Sequence, residues 1–307
     1  MRDAVVANLV QLARENPKIF LITADLGFGV LSSFIEEFPN QYLNVGVAEQ
    51  NMMGVATGLA LDGRVVFTYS IGNFPTLRCL EQIRNDACYH RANVNIISVG
   101  GGLSYGALGY SHHATEDIAV MRSLPEITVV APGDAWEAGE VVRELASRPG
   151  PSYLRLDKSS ARNSHAPGDE FLLGKARTIK SGRSLTLVSL GGLLSLSLEV
   201  ADDLAKESVD CRVLSLHTLK PVDEKAIIAA ARETGGIVVM EEHVAQGGLS
   251  SIVAEACLTH GVMPRNFLRF GLSEDNLSLV GSQQYLRRRH RLELEHIVGA
   301  IKEKFPR

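Results

Sequence analysis

Apolar and polar positions alternate along this chain in two rhythms. Over residues 2–15 the apolar positions (Val5, Val6, Leu9, Val10, Leu12, Ala13) keep a helical spacing that Asn16-Pro17 ends. Residues 19–24 then form an almost unbroken apolar run, as in a strand buried on both faces of a parallel sheet. The exchange repeats, predicting strands at 42–45, 64–69, 94–99, 128–132 and 152–156. Helices are predicted at 31–38, 49–61, 76–89, through Met121, and at 136–146. From 158 to 174 the composition turns polar, with Ser159, Ser160, Asn163, Ser164, Pro167 and Gly168, and this stretch reads as a linker. Alternation resumes with strands at 185–190, 211–216, 236–241 and 265–270. Helices follow up to about Glu207, at 224–233, up to Thr259 and at the polar carboxyl end. Strands alternating with helices predict an α/β protein of two doubly wound, mainly parallel domains, 1–164 and 175–307.

Composition narrows the picture only a little. The 307 residues are 45% hydrophobic and 21% charged, with a net charge of -4, as in ordinary globular proteins. No basic stripe offers a footprint for nucleic acid. The one dense cluster, Arg287-Arg288-Arg289-His290-Arg291, stands beside Glu293 and Glu295 and suits a solvated helix face or a subunit contact. Cys79, Cys88, Cys211 and Cys257 are scattered, with no Cys-x-x-Cys, and read as reduced, buried thiols. The amino-terminal pattern lacks a signal peptide's apolar core, and no apolar run spans a membrane. The expectation is a cytoplasmic protein.

Ligands of open α/β sheets bind beyond the carboxyl ends of the strands, and several polar residues stand there. Asp25 follows the first strand in the loop Asp25-Leu26-Gly27-Phe28-Gly29. Glu49 opens a run of small and apolar residues in which Gly54, Ala56, Gly58 and Ala60 let a flat ligand or a backbone come close. Two readings fit Glu49: a first-turn carboxylate favoured by the helix dipole, or a buried carboxyl kept neutral as a hydrogen-bond donor. The loop from Gly100 to Gly109 holds five glycines but no nucleotide-binding fingerprint. It ends in Ser111-His112-His113, which suits bonding to an anionic or hydroxylated ligand, or equally a helix start capped by Ser111. Lys158, after a strand, is a phosphate contact or a surface lysine. Glu241-Glu242-His243 before Gly247-Gly248 is an anion site or, preferably, a domain contact.

The order of these pieces resembles a known family. Asp25 after the first strand, Gly46-x-x-Glu49-Gln50 before a small-residue helix, and Gly109-x-Ser111-His112 after the third long strand are similar to the transketolases. Glu241-Glu242-His243 followed by Gly247-Gly248-Leu249 belongs to the same match. Over its whole length the chain resembles the carboxyl-terminal subunit of a transketolase divided between two polypeptides. The resemblance implies a pyrimidine-binding domain, then a transketolase C-terminal domain, and transfer of a two-carbon ketol unit from a ketose to an aldose. It implies thiamine diphosphate as cofactor, with Glu49 bonding the aminopyrimidine N1′ and so favouring the imino tautomer that deprotonates the thiazolium carbon. Phe74 would stack on the pyrimidine and Asp25 would lie at the cofactor. His112 would bond the ketose, while Arg2, Lys158 and His113, which replaces a glutamine of the common pattern, would complete the sugar-phosphate site.

Two departures qualify that expectation. Gly100 stands where the family has a second donor-site histidine, and Leu108 where it has a substrate-reading aspartate. A modified, deoxy or branched sugar is therefore expected. Neither Gly133-Asp134-Ala135 nor Gly168-Asp169-Glu170 fits the Gly-Asp-Gly motif that holds diphosphate and its cation. Hence Mg2+ or Ca2+ is expected on a partner subunit carrying Gly-Asp-Gly, with a homodimer of this chain inside a heterotetramer. The competing readings are a 2-oxo acid dehydrogenase beta subunit, a deoxyxylulose-phosphate synthase fragment and a non-catalytic sugar-phosphate-binding regulatory subunit.

Overall fold

A computed structural model describes residues 1–158, 165 and 168–305. Residues 159–164, 166 and 167 of the expected linker, with the boundary at 164, lie outside the described residues. The first half runs α1 (Arg2–Glu15), β1 (Ile19–Thr23), α2 (Ser32–Glu37), β2 (Tyr42–Asn44), α3 (Glu49–Leu61), β3 (Val65–Ile71), α4 (Leu80–Gln82), β4 (Val94–Val99), α5 (Asp117–Ser123), β5 (Thr128–Val130), α6 (Ala135–Ser147) and β6 (Ser152–Leu156). The second runs β7 (Arg177–Lys180), β8 (Leu185–Ser189), α7 (Leu193–Ala205), β9 (Cys211–Ser215), β10 (Thr218–Lys220), α8 (Glu224–Glu233), β11 (Ile237–Val244), α9 (Leu249–Thr259), β12 (Phe267–Leu272), α10 (Gln283–Arg289) and α11 (Leu294–Lys304).

These strands form two sheets, ordered β10-β5-β6-β4-β3-β1-β2 and β12-β11-β8-β9-β7. Pairing is parallel throughout except at two edges, where β10 runs antiparallel to β5 and β7 to β9. The expected mixed α/β class with two mainly parallel sheets is what the chain adopts. Helices α1 and α6 cover one face of the first sheet around Leu9, Val141 and Leu145. The middle layer joins both sheets through α3, α5, α8 and α9, with Met52, Met121, Ile227 and Val253 among its residues. Helices α7 and α11 close the far face of the second sheet over Leu194, Val200 and Ile297.

Besides the unexpected edge strand β10, three local features differ from the sequence pattern. The helix expected at 76–89 is a 3-10 turn (Leu77–Cys79), α4 and a π turn (Ile83–Cys88). The tight and wide turns re-phase the segment, so that Arg78 points at Glu49 while Ile83 and Cys88 still face the core. The short polar strand β7 carried too weak an alternation to be anticipated, and it survives because β9 supplies its partner. The polar carboxyl-terminal helix is two helices, turned at Arg291, whose φ is +59°.

Candidate active site

Parallel pairing aligns Thr23 with both Asn44 and Tyr69, Ile71 with Val99, and Val99 with Leu156. The segments that follow these strand ends therefore share one edge of the first sheet. That edge carries Asp25, Glu49, Phe74, the glycine loop with His112, and Lys158.

Asp25 sits at φ +56°, a left-handed conformation uncommon outside glycine but tolerated by aspartate. Asn44 holds it. The Asn44 side-chain carbonyl accepts from the Asp25 and Gly46 N–H groups (2.9 and 3.0 Å), and its amide donates to Asp25 Oδ1 (3.1 Å). Sequence reasoning passed over Asn44; an amide at a strand end, two residues before a glycine, was the signal for it.

Glu49 is the first residue of α3 and only 2% exposed. It does not lie in a purely apolar pocket. Arg78 Nη1 donates to its Oε2 at 2.7 Å, and the same guanidinium lies 4.5 Å from the Phe74 ring centroid. The other oxygen, Oε1, has no hydrogen bond among the described residues, and the Arg78 side chain is 46% exposed, so the pair opens on one side. Arg78 was the residue the sequence hid, as a lone charge between apolar neighbours. Beside it, burial pushes the Cys79 thiol up to about 12, with the Glu49 charge adding to the effect, so this cysteine is inert.

The two histidines part company. The partly exposed His112 meets Phe74 edge-on at 5.1 Å, and its Nδ1 lies 3.0 Å from Ser111 Oγ. His113 is fully buried; its Nε2 donates to the Gly106 carbonyl (3.2 Å) and its own carbonyl accepts from Asn73 (2.6 Å). The structure thus brings His112 to the cleft and turns His113 into the loop's interior. Gly72, at φ +49°, lets the loop pass: a Cβ there would come within 3.0 Å of the His112 carbonyl oxygen. Lys158 is exposed, and its backbone N–H donates to Ser104 Oγ (3.2 Å), which ties it to the glycine loop. Arg2 contacts Asp3 at 3.3 Å and lies near Tyr69, whose phenol burial raises to about 12 against the pull of Arg2.

Behind this edge lies a buried charge network. Arg155, 1% exposed, has Nε 3.0 Å from Asp117 Oδ2, and Nη2 donates to the carbonyls of Ala114 (3.1 Å) and Glu242 (2.9 Å). Burial alone would ease its proton off, but Asp117 and Asp157 outweigh this and raise its pKa. Glu241 accepts from the Leu249 and Ser250 N–H groups, capping α9, and burial pushes its carboxyl up to about 7. Arg287 donates to Glu242 at 2.7 Å, and the Ala119 N–H reaches His243 Nε2 at 3.4 Å. The segment Glu241-Glu242-His243 is thus an internal contact between the two halves. Asp134 caps α6 by accepting from the Glu137 N–H (2.8 Å). Among the described residues no group of three or more His, Cys, Asp or Glu side chains could hold a metal ion. No helix among them is long and apolar enough to cross a membrane.

Residues 1–164 match the family model of the transketolase pyrimidine-binding domain, and residues 174–292 that of the transketolase C-terminal domain. This chain belongs to the transketolase family. Its relatives include one of the subunits of the apulose-4-phosphate transketolase of Phocaeicola vulgatus, 37% identical over 90% of this chain and 88% of the relative. The 6-deoxy-6-sulfo-D-fructose transketolase subunit SqwH of a Clostridium species is 33% identical over 99% of this chain and 94% of its own. A solved split-gene transketolase, described as an inactive beta4 tetramer, superposes with a TM-score of 0.90 at 36% identity, covering 99% of this transketolase-family chain and 97% of the other.

Proposed function

We propose that this chain is the carboxyl-terminal subunit of a two-polypeptide transketolase, with 1–164 as the pyrimidine-binding domain and 175–307 as the C-terminal domain. One observation carries the reading. Glu49 is buried at a helix start with one carboxylate oxygen unbonded among the described residues; its partner Arg78 lies against the Phe74 ring, and Phe74 in turn meets His112. A flat heterocycle suits these groups: the open oxygen can share a proton with a ring nitrogen, and Phe74 supplies an aromatic surface. Thiamine diphosphate, when bound, supplies a nucleophilic carbon for the ketose carbonyl. The chain's own part is to orient and to move protons. Glu49 shares a proton with the pyrimidine N1′, and Asp25, fixed by Asn44, lines the same edge. His112 bonds the sugar's hydroxyl or carbonyl oxygen. Arg2 and Lys158 hold the terminal anion, Lys158 as a point charge without the bidentate fork of arginine.

The diphosphate and its Mg2+ or Ca2+ belong to a partner subunit carrying Gly-Asp-Gly. Supporting this, the site edge leaves Phe28 (78% exposed), Val47 (75%) and Leu108 (55%) bare, an apolar rim suited to a subunit contact. The relative described as a beta4 tetramer supports self-association as well, so a homodimer within a heterotetramer is the expected assembly. Relatives named for apulose 4-phosphate and for a sulfofructose, with Gly100 and Leu108 in this chain, favour a branched or modified ketose over the ordinary pentose phosphates. Full turnover of xylulose 5-phosphate with ribose 5-phosphate would overturn that preference.

The test of the function is Glu49→Gln in the assembled pair. Turnover should fall about 10³-fold while assembly is unchanged, because a positioned proton-transfer group is removed without loss of shape. A regulatory, non-catalytic subunit would leave turnover by the pair untouched.

A further inference from the structure

One aromatic at the cleft belongs to no motif. Tyr105 stands midway along the glycine loop, half-buried, and its carbonyl accepts from the Leu108 N–H (2.8 Å) in a tight turn. Two of the residues assigned to the sugar lie against its ring, and the charge of a third, Arg2, is felt there. The Lys158 ammonium lies 5.0 Å from the ring centroid, and the His112 ring meets it at 6.5 Å and 60°. Burial raises the Tyr105 phenol pKa, and the nearby Arg2 guanidinium opposes that rise. Ser104, its neighbour, accepts from the Lys158 N–H and donates to the Gly101 carbonyl (2.7 Å), so Lys158 and Tyr105 are fixed to one loop.

Gly100 explains how the ring fits. A Cβ at that position would lie 2.2 Å from both Cδ2 and Cε2 of Tyr105, and the backbone there has φ +96°. A side chain at position 100 and the Tyr105 ring therefore exclude each other from one volume. The missing side chain at Gly100 does not leave a hole, because an aromatic from five residues on fills it. A six-membered ring with its hydroxyl is also longer than an aliphatic side chain at the same position would be.

We propose that Tyr105 is the specificity-determining residue of the sugar subsite, its ring replacing a side chain at position 100. With Lys158 and Arg2 it limits the cleft to ketoses of short main chain that end in a phosphate or sulfonate. The inference rests on the transketolase reading. It is tested in the assembled enzyme with thiamine diphosphate and magnesium, comparing Tyr105→Ala and Tyr105→Phe with the parent. The donors are apulose 4-phosphate, xylulose 5-phosphate, fructose 6-phosphate and 6-deoxy-6-sulfofructose, and the last two separate phosphate from sulfonate at equal chain length. Tyr105→Ala should raise kcat/KM for both six-carbon donors, relative to apulose 4-phosphate, by about ten-fold, mainly through KM. Tyr105→Phe should stay within three-fold of the parent. Should the alanine variant not fold, Tyr105→Leu takes its place with the same expected direction. A shift below three-fold in the truncated variant, or an equal shift in Tyr105→Phe, would overturn the inference alone. Absence of cofactor-dependent turnover of all four donors by the parent would overturn the transketolase reading, and the inference with it.

Discussion

Arg155 and Lys158 stand three residues apart and are treated in opposite ways. Arg155 is sealed between the two halves, with Asp117 at 3.0 Å, Asp157 at 3.8 Å and two carbonyls on its remaining nitrogen, Nη2. Lys158 lies exposed at the sheet edge, and no carboxylate among the described residues contacts it. The same division runs through the carboxylates. Glu241 and Glu242 are met on all sides by donors from their own chain, whereas one Glu49 oxygen has no hydrogen bond among the described residues. A charge buried with its partners fixes structure, and a charge left half-satisfied at a cleft awaits a ligand. The seam holds the halves together so that the edge can stay open.

The largest effect is expected in the seam. Arg155→Met removes a fully buried cation and strands Asp117 and Asp157, which should cost about 3–5 kcal/mol by urea unfolding. It also releases the Ala114 carbonyl, and with it the base of the loop that carries His112. Pairing it with Asp117→Asn should recover part of the loss, because the stranded charge is gone. A single-variant loss under about 1 kcal/mol would mean that the seam is not what stabilises this fold.

The edge should behave in reverse. His112→Ala removes a partly exposed ring whose one polar contact among the described residues is Ser111. Stability should change by no more than about 0.5 kcal/mol. Turnover of the assembled enzyme should nevertheless fall about 10²-fold, the lower end for a positioned acid–base or hydrogen-bonding group. A variant that unfolds early but turns over normally would erase the distinction between the two regions.

Much of this was legible in the sequence because it is periodic. Helix α1 and strands β4 and β6 begin and end where their apolar patterns do. The site's edge followed from strand ends alone, since parallel strands deliver their loops to one side. What stayed hidden depends on distance in space. Arg78 reaches Glu49 across 29 residues, and Arg155 reaches the Glu242 carbonyl across 87. Strand β10 leaves its own neighbours to pair with β5. His112 and His113 looked equivalent as a pair, and only the turn at Tyr110–His112 decides that one faces the cleft and the other the loop interior.

The smallest effect lies at the seam's edge, where His217 tests how tightly it is closed. Its ring is buried against Phe171, 4.4 Å between centroids, with Nδ1 2.9 Å from Thr218 Oγ1. Burial, helped by the Arg177 charge, lowers its pKa to about 3. The unfolded chain takes up a proton here below its ordinary 6.5, while the folded chain stays neutral. Stability from this site is thus intact above that value and is lost as the pH falls toward 3. Glu241 works in the other sense: with a folded pKa of about 7 against an ordinary 4.5, it favours the folded state as the pH drops between the two. The parent's pH profile should therefore be shallow between pH 7 and 5, and the His217 contribution appears only by difference. Comparing His217→Leu with the parent by urea unfolding, the variant should gain about 2 kcal/mol on the parent between pH 7 and pH 5. An equal difference at both pH values would mean that His217 takes up its proton in the folded chain, which a closed seam does not permit.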